Sequence, residues 1–318
     1  MKAYITNPLP QIAINKLTQS NLTVETYSNK EHLITKDELL KVVPDTEFLL
    51  TSISTKIDRE IIDRAPNLKI IANFGSGFNN IDIEYARQKG IPVTNTPFVS
   101  TTSVAEFTLG LMLGIAHRIN EGDQLIRHQG FNGWQPLFFL GHELSHKTLG
   151  IIGMGSIGQA VAKLAQSFQM KVIYWKPKPL SNDKETDLSV QYHKLDDLLA
   201  NSDFVSLHSP LTKDNHHQFS TKTFKKMKNS AFLINAARGP IVDEKSLVTA
   251  LKDKEIAGAA LDVFEHEPNV ENELKTMNNV ILTPHLGNAT VEARNAMALV
   301  VVDNVLKTIN GDEVAAVN

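Results

Sequence analysis

A chain of 318 residues is long enough for two domains of ordinary size. Its apolar fraction of 42% and charged fraction of 21% belong to a globular protein with real cores, which excludes a disordered chain. A net charge of −3 leaves no basic footprint for nucleic acid, and the absence of cysteine excludes disulfides, thiolate metal sites, iron–sulfur clusters and a thiol nucleophile.

The first residues, M-K-A-Y-I-T-N-P-L-P, hold too short an apolar run for a signal-peptide core, and Pro8 and Pro10 interrupt it. No run of about 18 apolar residues occurs, so no spanning helix is predicted. These features predict a soluble, cytoplasmic protein with no membrane, nucleic-acid or metal partner.

Short β-branched runs alternate with longer amphipathic stretches, the pattern of βα units and a parallel sheet. In the first part of the chain, strands are predicted over residues 3–6, 22–27, 48–51, 69–72 and 92–95. Helices fall between them over 36–43, 58–65 and 82–89, the last two opening on an acidic residue and the last stopped by Gly90. One long helix is predicted over 102–129, with dense apolar spacing up to Ala116. The aromatic segment 131–139, broken by Pro136, carries neither a strand nor a helix period.

A second α/β series follows. Its six strands cover 148–153, 171–175, 204–208, 231–235, 257–263 and 280–283, with helices over 158–169, 195–201, 222–226 and 244–252. Six strands with crossovers predict a doubly wound dinucleotide-type domain. The final helix, 291–310, comes after its last strand; packed back on the first domain, it would make that domain discontinuous.

The sharpest motif is T-L-G-I-I-G-M-G-S-I-G, where Gly153, Gly155 and Gly158 form G-x-G-x-x-G directly after an apolar strand and at the start of a helix. Gly153 permits the tight turn, Gly155 lets backbone approach a pyrophosphate, and Gly158 lets helix and strand pack closely. The helix N-terminus then offers free N–H groups to an anion. The acidic residue that usually follows about 20 positions on, to bind a ribose 2′-hydroxyl, is missing. Trp175 takes that position, and Lys176 and Lys178 follow. A loop lysine is ordinarily just solvated; the missing acid beside two cations favours NADP(H) over NAD(H).

Three pieces sit at the ends of later strands, where an open parallel sheet lines its ligand crevice. They are I-N-A-A-R-G with Arg238, A-L-D-V-F-E-H-E-P with Asp262 and Glu267, and I-L-T-P-H-L-G with His285. Hydride transfer to a 2-oxo acid needs a cation for the carboxylate and carbonyl, which the guanidinium fork of Arg238 suits. It needs a proton donor near neutral pH, which His285 suits. A carboxylate beside an imidazole orients the ring and favours its protonated form, a task for Glu267. Taken singly, Glu267 in its acidic stretch and one histidine among 11 would be ordinary surface groups; three matching types at successive strand ends are not. A second turn, N-F-G-S-G-F-N-N-I-D, could form an anion nest from the N–H groups around Ser76 and Gly77.

Together these motifs resemble the D-isomer-specific 2-hydroxyacid dehydrogenases. The likeness spans nearly the whole chain, from F-G-S-G-F-N-N-I-D through N-T-P-F-V-S-T-T-S-V-A-E, H-S-P-L-T and N-A-A-R-G to L-D-V-F-E-H-E-P and T-P-H-L-G-N-A-T. It implies an α/β fold of two doubly wound parallel-sheet domains with a cleft between. Residues 100–286 would form a Rossmann NAD(P)-binding domain, and 1–99 with 287–318 a flavodoxin-like substrate domain. It implies Arg238, Glu267 and His285 as the catalytic set, and Ser76 and Gly77, with Arg238 and His285, as substrate contacts. It implies cofactor contacts from Thr101, Ser156, Ile157, His208, Pro210, Thr212, Ala236, Ala237, Arg238, Asp262, His285 and Gly287, beside the three glycines, Trp175 and the two lysines.

The family commonly forms homodimers through the long helix and arm, here about 101–146. The run G-W-Q-P-L-F-F-L-G-H-E resembles the arm of glyoxylate/hydroxypyruvate reductases, in which an aromatic crosses to the partner's active site; Trp134, Phe138 and Phe139 are the candidates. That subclass often uses NADPH and reduces a small 2-oxo acid to the D-2-hydroxy acid. His146 departs from the pattern, standing where a glycine is usual. Two alternatives remain open: a dehydrogenase of a bulkier 2-hydroxy acid, and a cofactor-sensing corepressor-like protein, since such relatives keep the Arg–Glu–His set.

Overall fold

All twelve strands run parallel within two separate sheets, in a computed structural model that describes residues 1–318. The chain divides into two compact units, Met1–Ser100 with Thr290–Asn318, and Thr101–Ala289.

The first unit holds β1 (Lys2–Ile5), β2 (Thr23–Thr26), β3 (Phe48–Ser52), β4 (Ile70–Phe74) and β5 (Val93–Thr94) in the order β2-β1-β3-β4-β5. That is the flavodoxin-like order. Between them lie α1 (Gln11–Thr18), α2 (Lys36–Val42), α3 (Arg59–Asp63) and α4 (Ile83–Gln88). Thr35 and Glu38 form a capping box at α2, and the Asp58 and Asp82 side chains cap α3 and α4, which is why these starts were legible. Sequence patterning misses α1. Its cap position is Pro10, which offers no side-chain bond, and it is held by burial of Ala13 and Leu17.

The single helix predicted over 102–129 is two, α5 (Thr101–Ala116) and α6 (Ile119–His128). Arg118 breaks them with φ 58°, and its guanidinium pairs with Glu121 and lies 3.9 Å from the Phe139 ring centroid. Burial changes at the same point: α5 is buried from Ser103 to Ala116 on several sides, and α6 buries no residue. The arm beyond it has no strand or helix. Trp134 and Leu137 are over four-fifths exposed, and Phe138 stacks on Phe131.

The second sheet has seven strands rather than six: β6 (Thr148–Ile152), β7 (Lys171–Trp175), β8 (Gln191–Tyr192), β9 (Phe204–Leu207), β10 (Phe232–Asn235), β11 (Gly258–Leu261) and β12 (Val280–Leu282). The order β12-β11-β10-β9-β6-β7-β8 is the Rossmann arrangement extended by one strand. The extra strand, β8, is two residues long, too short for any period to announce it. The helices are α7 (Ser156–Ser167), α8 (Asn182–Leu188), α9 (Leu195–Asn201), α10 (Thr221–Phe224) and α11 (Glu244–Lys252). Sequence patterning also misses α8, whose N-D-K-E-T-D-L buries only Leu188 and so shows no apolar stripe. One face of the sheet packs α5 and α7 around Tyr174 and Phe204; the other packs Phe219, Phe224 and Leu247.

The last helix, α12 (Val291–Asn310), returns to the first unit. It is capped by Thr290 and ends at Gly311, whose φ of 78° suits glycine. Met297, Ala298, Val301, Val302 and Val305 are buried with Ala3, Ile5, Leu17, Ile70 and Ala72. His146 has φ 62°, a left-handed conformation that glycine adopts without steric cost. No helix is long and apolar enough to cross a membrane.

Candidate active site

At the end of β6 the chain turns too sharply for side chains. Gly153 has φ 97°, and a Cβ there would lie 2.6 Å from the His208 carbonyl carbon. A Cβ on Gly158 would lie 2.2 Å from the Gly153 oxygen, so α7 abuts the strand it leaves. Around Gly155 the position a Cβ would take has no heavy atom within 4 Å, so this side of the turn is open. No side chain caps α7, so its first amides, on Ser156 and Ile157, are available at the positive end of the helix dipole. Open backbone and free N–H groups fit a pyrophosphate.

Trp175 closes β7, and its carbonyl accepts from the Gly153 N–H at 2.9 Å. Its half-buried indole packs on the apolar cluster below. Lys176 is half-buried, Lys178 is exposed, and neither forms an ion pair. The far end of their loop is tied down by Tyr174, whose hydroxyl accepts from Leu180 N–H at 2.9 Å and donates to Glu185 at 2.6 Å. Burial and the Glu185 carboxylate push the Tyr174 phenol up to about 12.

His208 follows β9. Its Nε2 lies 2.8 Å from the Ser206 hydroxyl, and burial pulls the imidazole down to about 4, so it is neutral near pH 7. Pro210 and Thr212 lie on an exposed loop closed by Asn215, which accepts from Thr212 N–H at 2.7 Å and donates to the Pro210 carbonyl at 2.8 Å.

Past β10, the buried Asn235 shapes the loop of Ala236, Ala237 and Arg238. Its Oδ1 accepts from Ala237 N–H at 3.0 Å, and its Nδ2 donates to the Arg238 carbonyl at 3.0 Å. The Arg238 guanidinium donates to the Ala237 carbonyl, and its burial draws the pKa down against the opposing attraction of Glu267. It stays charged near neutral pH because arginine starts so high.

Asp262, after β11, is 1% exposed. Its Oδ1 accepts from the Thr283 hydroxyl and Leu286 N–H, both at 2.7 Å, and its Oδ2 from Gly287 N–H at 2.8 Å. The loop around His285 is therefore built on this carboxylate. From α5, the Ser103 hydroxyl donates to the Gly287 carbonyl at 2.8 Å, two residues after the half-buried Thr101. His285 takes φ 58° inside this clamp and places Nδ1 3.1 Å from Glu267 Oε2. Glu267 Oε1 accepts from Phe264 N–H at 3.0 Å. Burial would raise the Glu267 carboxyl, but the His285 contact, the Phe264 amide and the Arg238 charge outweigh it and hold the group below the usual carboxylate range.

Thr101, Gly153, Gly155, Ser156, Ile157, Gly158, Trp175, Lys176, Lys178, His208, Arg238, Asp262, Glu267, His285 and Gly287 thus all belong to one unit. Ser76 and Gly77 lie in the other, after β4. There Asn73 donates to the Gly77 carbonyl at 2.8 Å and Asn95 to the Ser76 carbonyl at 2.7 Å, fixing the turn by its carbonyls and leaving the Ser76 and Gly77 N–H groups without a protein acceptor. Residues the sequence reading passed over, Asn235, Ser103 and Thr283, act by hydrogen bonding to loops. The only advance signal was a polar side chain beside an apolar run.

The profile of the D-isomer specific 2-hydroxyacid dehydrogenase NAD binding domain matches residues 109–287. A Staphylococcus epidermidis chain assigned to the 2-hydroxyacid dehydrogenases is 52% identical over 312 residues, 98% of each chain. Among solved structures, a Thermus thermophilus protein aligns with TM-score 0.92 and 39% identity over 99% of both chains. The NADPH-dependent glyoxylate/hydroxypyruvate reductase of Sinorhizobium meliloti, solved with NADP and malonate, aligns with TM-score 0.83 and 30% identity, covering 99% of this chain and 95% of that one. The chain belongs to the D-isomer specific 2-hydroxyacid dehydrogenase family, an NAD(P)-dependent oxidoreductase family, and carries its NAD-binding domain.

His208 ties this site to acid stability. Its pKa is lower in the folded than in the unfolded chain, so the unfolded chain binds more protons between the ordinary value of 6.5 and about 4, and stability falls as pH drops through that window. Urea unfolding of His208→Asn should show a shallower loss between pH 6.5 and about 4 than the parent does; an identical pH dependence would refute the burial argument.

Proposed function

We propose that the chain reduces a small 2-oxo acid, glyoxylate or hydroxypyruvate, to the D-2-hydroxy acid, with NADPH preferred to NADH. The observation that carries this reading is the His285–Glu267 contact of 3.1 Å, set at strand ends beside the Arg238 loop in a dinucleotide-type domain. A bound dinucleotide supplies the hydride to the carbonyl carbon. His285, held through Nδ1 by Glu267, keeps Nε2 to give the carbonyl oxygen its proton. Arg238 holds the carboxylate and polarises the carbonyl. The free amides of Ser76 and Gly77 are of the kind that bind a carboxylate. In this reading the unit Thr101–Ala289 binds the dinucleotide and the other unit serves the substrate.

The preference for NADPH rests on Lys176 and Lys178, which have no carboxylate partner, and on the lack of an acidic residue after β7. A solved relative described with NADP supports it. The exposed aromatics Phe131, Trp134 and Phe138 support a homodimer formed through the arm.

Nicotinamide absorbance with each cofactor against glyoxylate, hydroxypyruvate, pyruvate and a bulky 2-oxo acid tests the reading. Turnover should be fastest on the first two with NADPH; preference for the bulky acid overturns the substrate. His285→Gln should lower kcat by about 10²–10⁴-fold while NADPH still binds, and unchanged turnover removes His285 from the chemistry. Replacing Lys176 and Lys178 together with Ala should weaken NADPH about tenfold and leave NADH nearly unaffected. Equal loss for both cofactors refutes the 2′-phosphate role.

A further inference from the structure

The loop that carries Glu267 is held from behind by a second carboxylate. Glu244, the first residue of α11, is 6% exposed and makes no ion pair. Its Oε1 accepts from Glu265 N–H at 2.7 Å and its Oε2 from Glu271 N–H at 3.2 Å. These two amides open and close the segment 265–271, and Glu267 lies inside it. Glu265 answers in kind: its Oε2 accepts from Glu244 N–H at 3.3 Å, while its Oε1 lies 2.6 Å from His217 Nε2.

The same corner touches the Arg238 loop. A Cβ on Gly239 would lie 1.8 Å from the Phe264 carbonyl oxygen, and Phe264 N–H is the donor to Glu267. The short turn Gly239–Ile241 and then Val242 and Asp243 separate Arg238 from the start of α11. Arg238, Glu244 and Glu267 are thus parts of one packed block.

Burying a carboxylate without a cation is unfavourable unless hydrogen bonds replace its water. An apolar side chain would fill the space around Glu244 without that cost. What the carboxylate adds is two acceptors that bracket a loop. We propose that Glu244 is a positioning residue that sets Glu267 against His285 through the 265–271 loop. This rests on the roles given to Glu267 and His285 above.

A double-mutant cycle tests it with the full chain: parent, Glu244→Ala, Glu267→Gln and the double variant. Each is assayed for kcat on a 2-oxo acid that the parent reduces and for NADPH affinity by protein fluorescence. Glu244→Ala should lower kcat about tenfold with NADPH affinity within about twofold, and should cost little further in the Glu267→Gln background. In the cofactor-free protein, the His285 imidazole ¹⁵N signals should move in Glu244→Ala in the direction they move in Glu267→Gln. Glu244→Gln keeps one acceptor oxygen and should recover part of the loss; it also carries the cycle if the alanine variant does not fold. Equal loss from Glu244→Ala in both backgrounds makes Glu244 merely structural and overturns the proposal while leaving Glu267 in place. Unchanged kcat in Glu267→Gln overturns the reading of Glu267 itself, and the positioning role with it.

Discussion

Every strand of the second sheet points the same way, and the candidate site depends on that constraint. In a parallel sheet each crossover begins at the same edge, so all the strand-to-helix loops emerge together. The glycine turn after β6, Trp175 at the end of β7, His208 after β9, Arg238 after β10, Asp262 after β11 and His285 after β12 share that edge for this reason. An antiparallel arrangement of the same strands would send alternate loops to the opposite end.

Sharing an edge does not give a site its geometry. Polar side chains buried at the strand ends do that. Asn235 bonds to two backbone groups of the Arg238 loop, Asp262 to three donors around His285, and Glu244 to two amides flanking Glu267. Each is buried, where an unpaired polar group is costly, and each is paired. Glu267 reflects the result: only partly desolvated, it stays below the usual carboxylate range because His285, an amide and Arg238 all favour its charged form.

Glycine acts at the few points where backbone must meet backbone. Gly153 turns under the His208 carbonyl, Gly158 sits on Gly153, and Gly239 presses on Phe264. The first two could be read in advance, because G-x-G-x-x-G has a known geometry. Gly239 could not, because nothing in R-G-P-I says which distant peptide will lie against it.

The amino-acid sequence by itself determined the class of fold, the strand alternation, the glycine turn and the residue types at the later strand ends, because each is a local pattern of period, cap or turn. It misjudged the segment 102–129, where Arg118 ends one helix in a left-handed conformation, and it missed α1, α8 and β8, which are short or held by burial rather than by their own signals. Only the tertiary structure decided that Asp262 clamps the His285 loop, that Glu244 brackets Glu267, and that His146 adopts a backbone conformation suited to glycine. Those facts join residues far apart in the chain or fix a single dihedral angle, and a buried hydrogen bond leaves no period in a sequence.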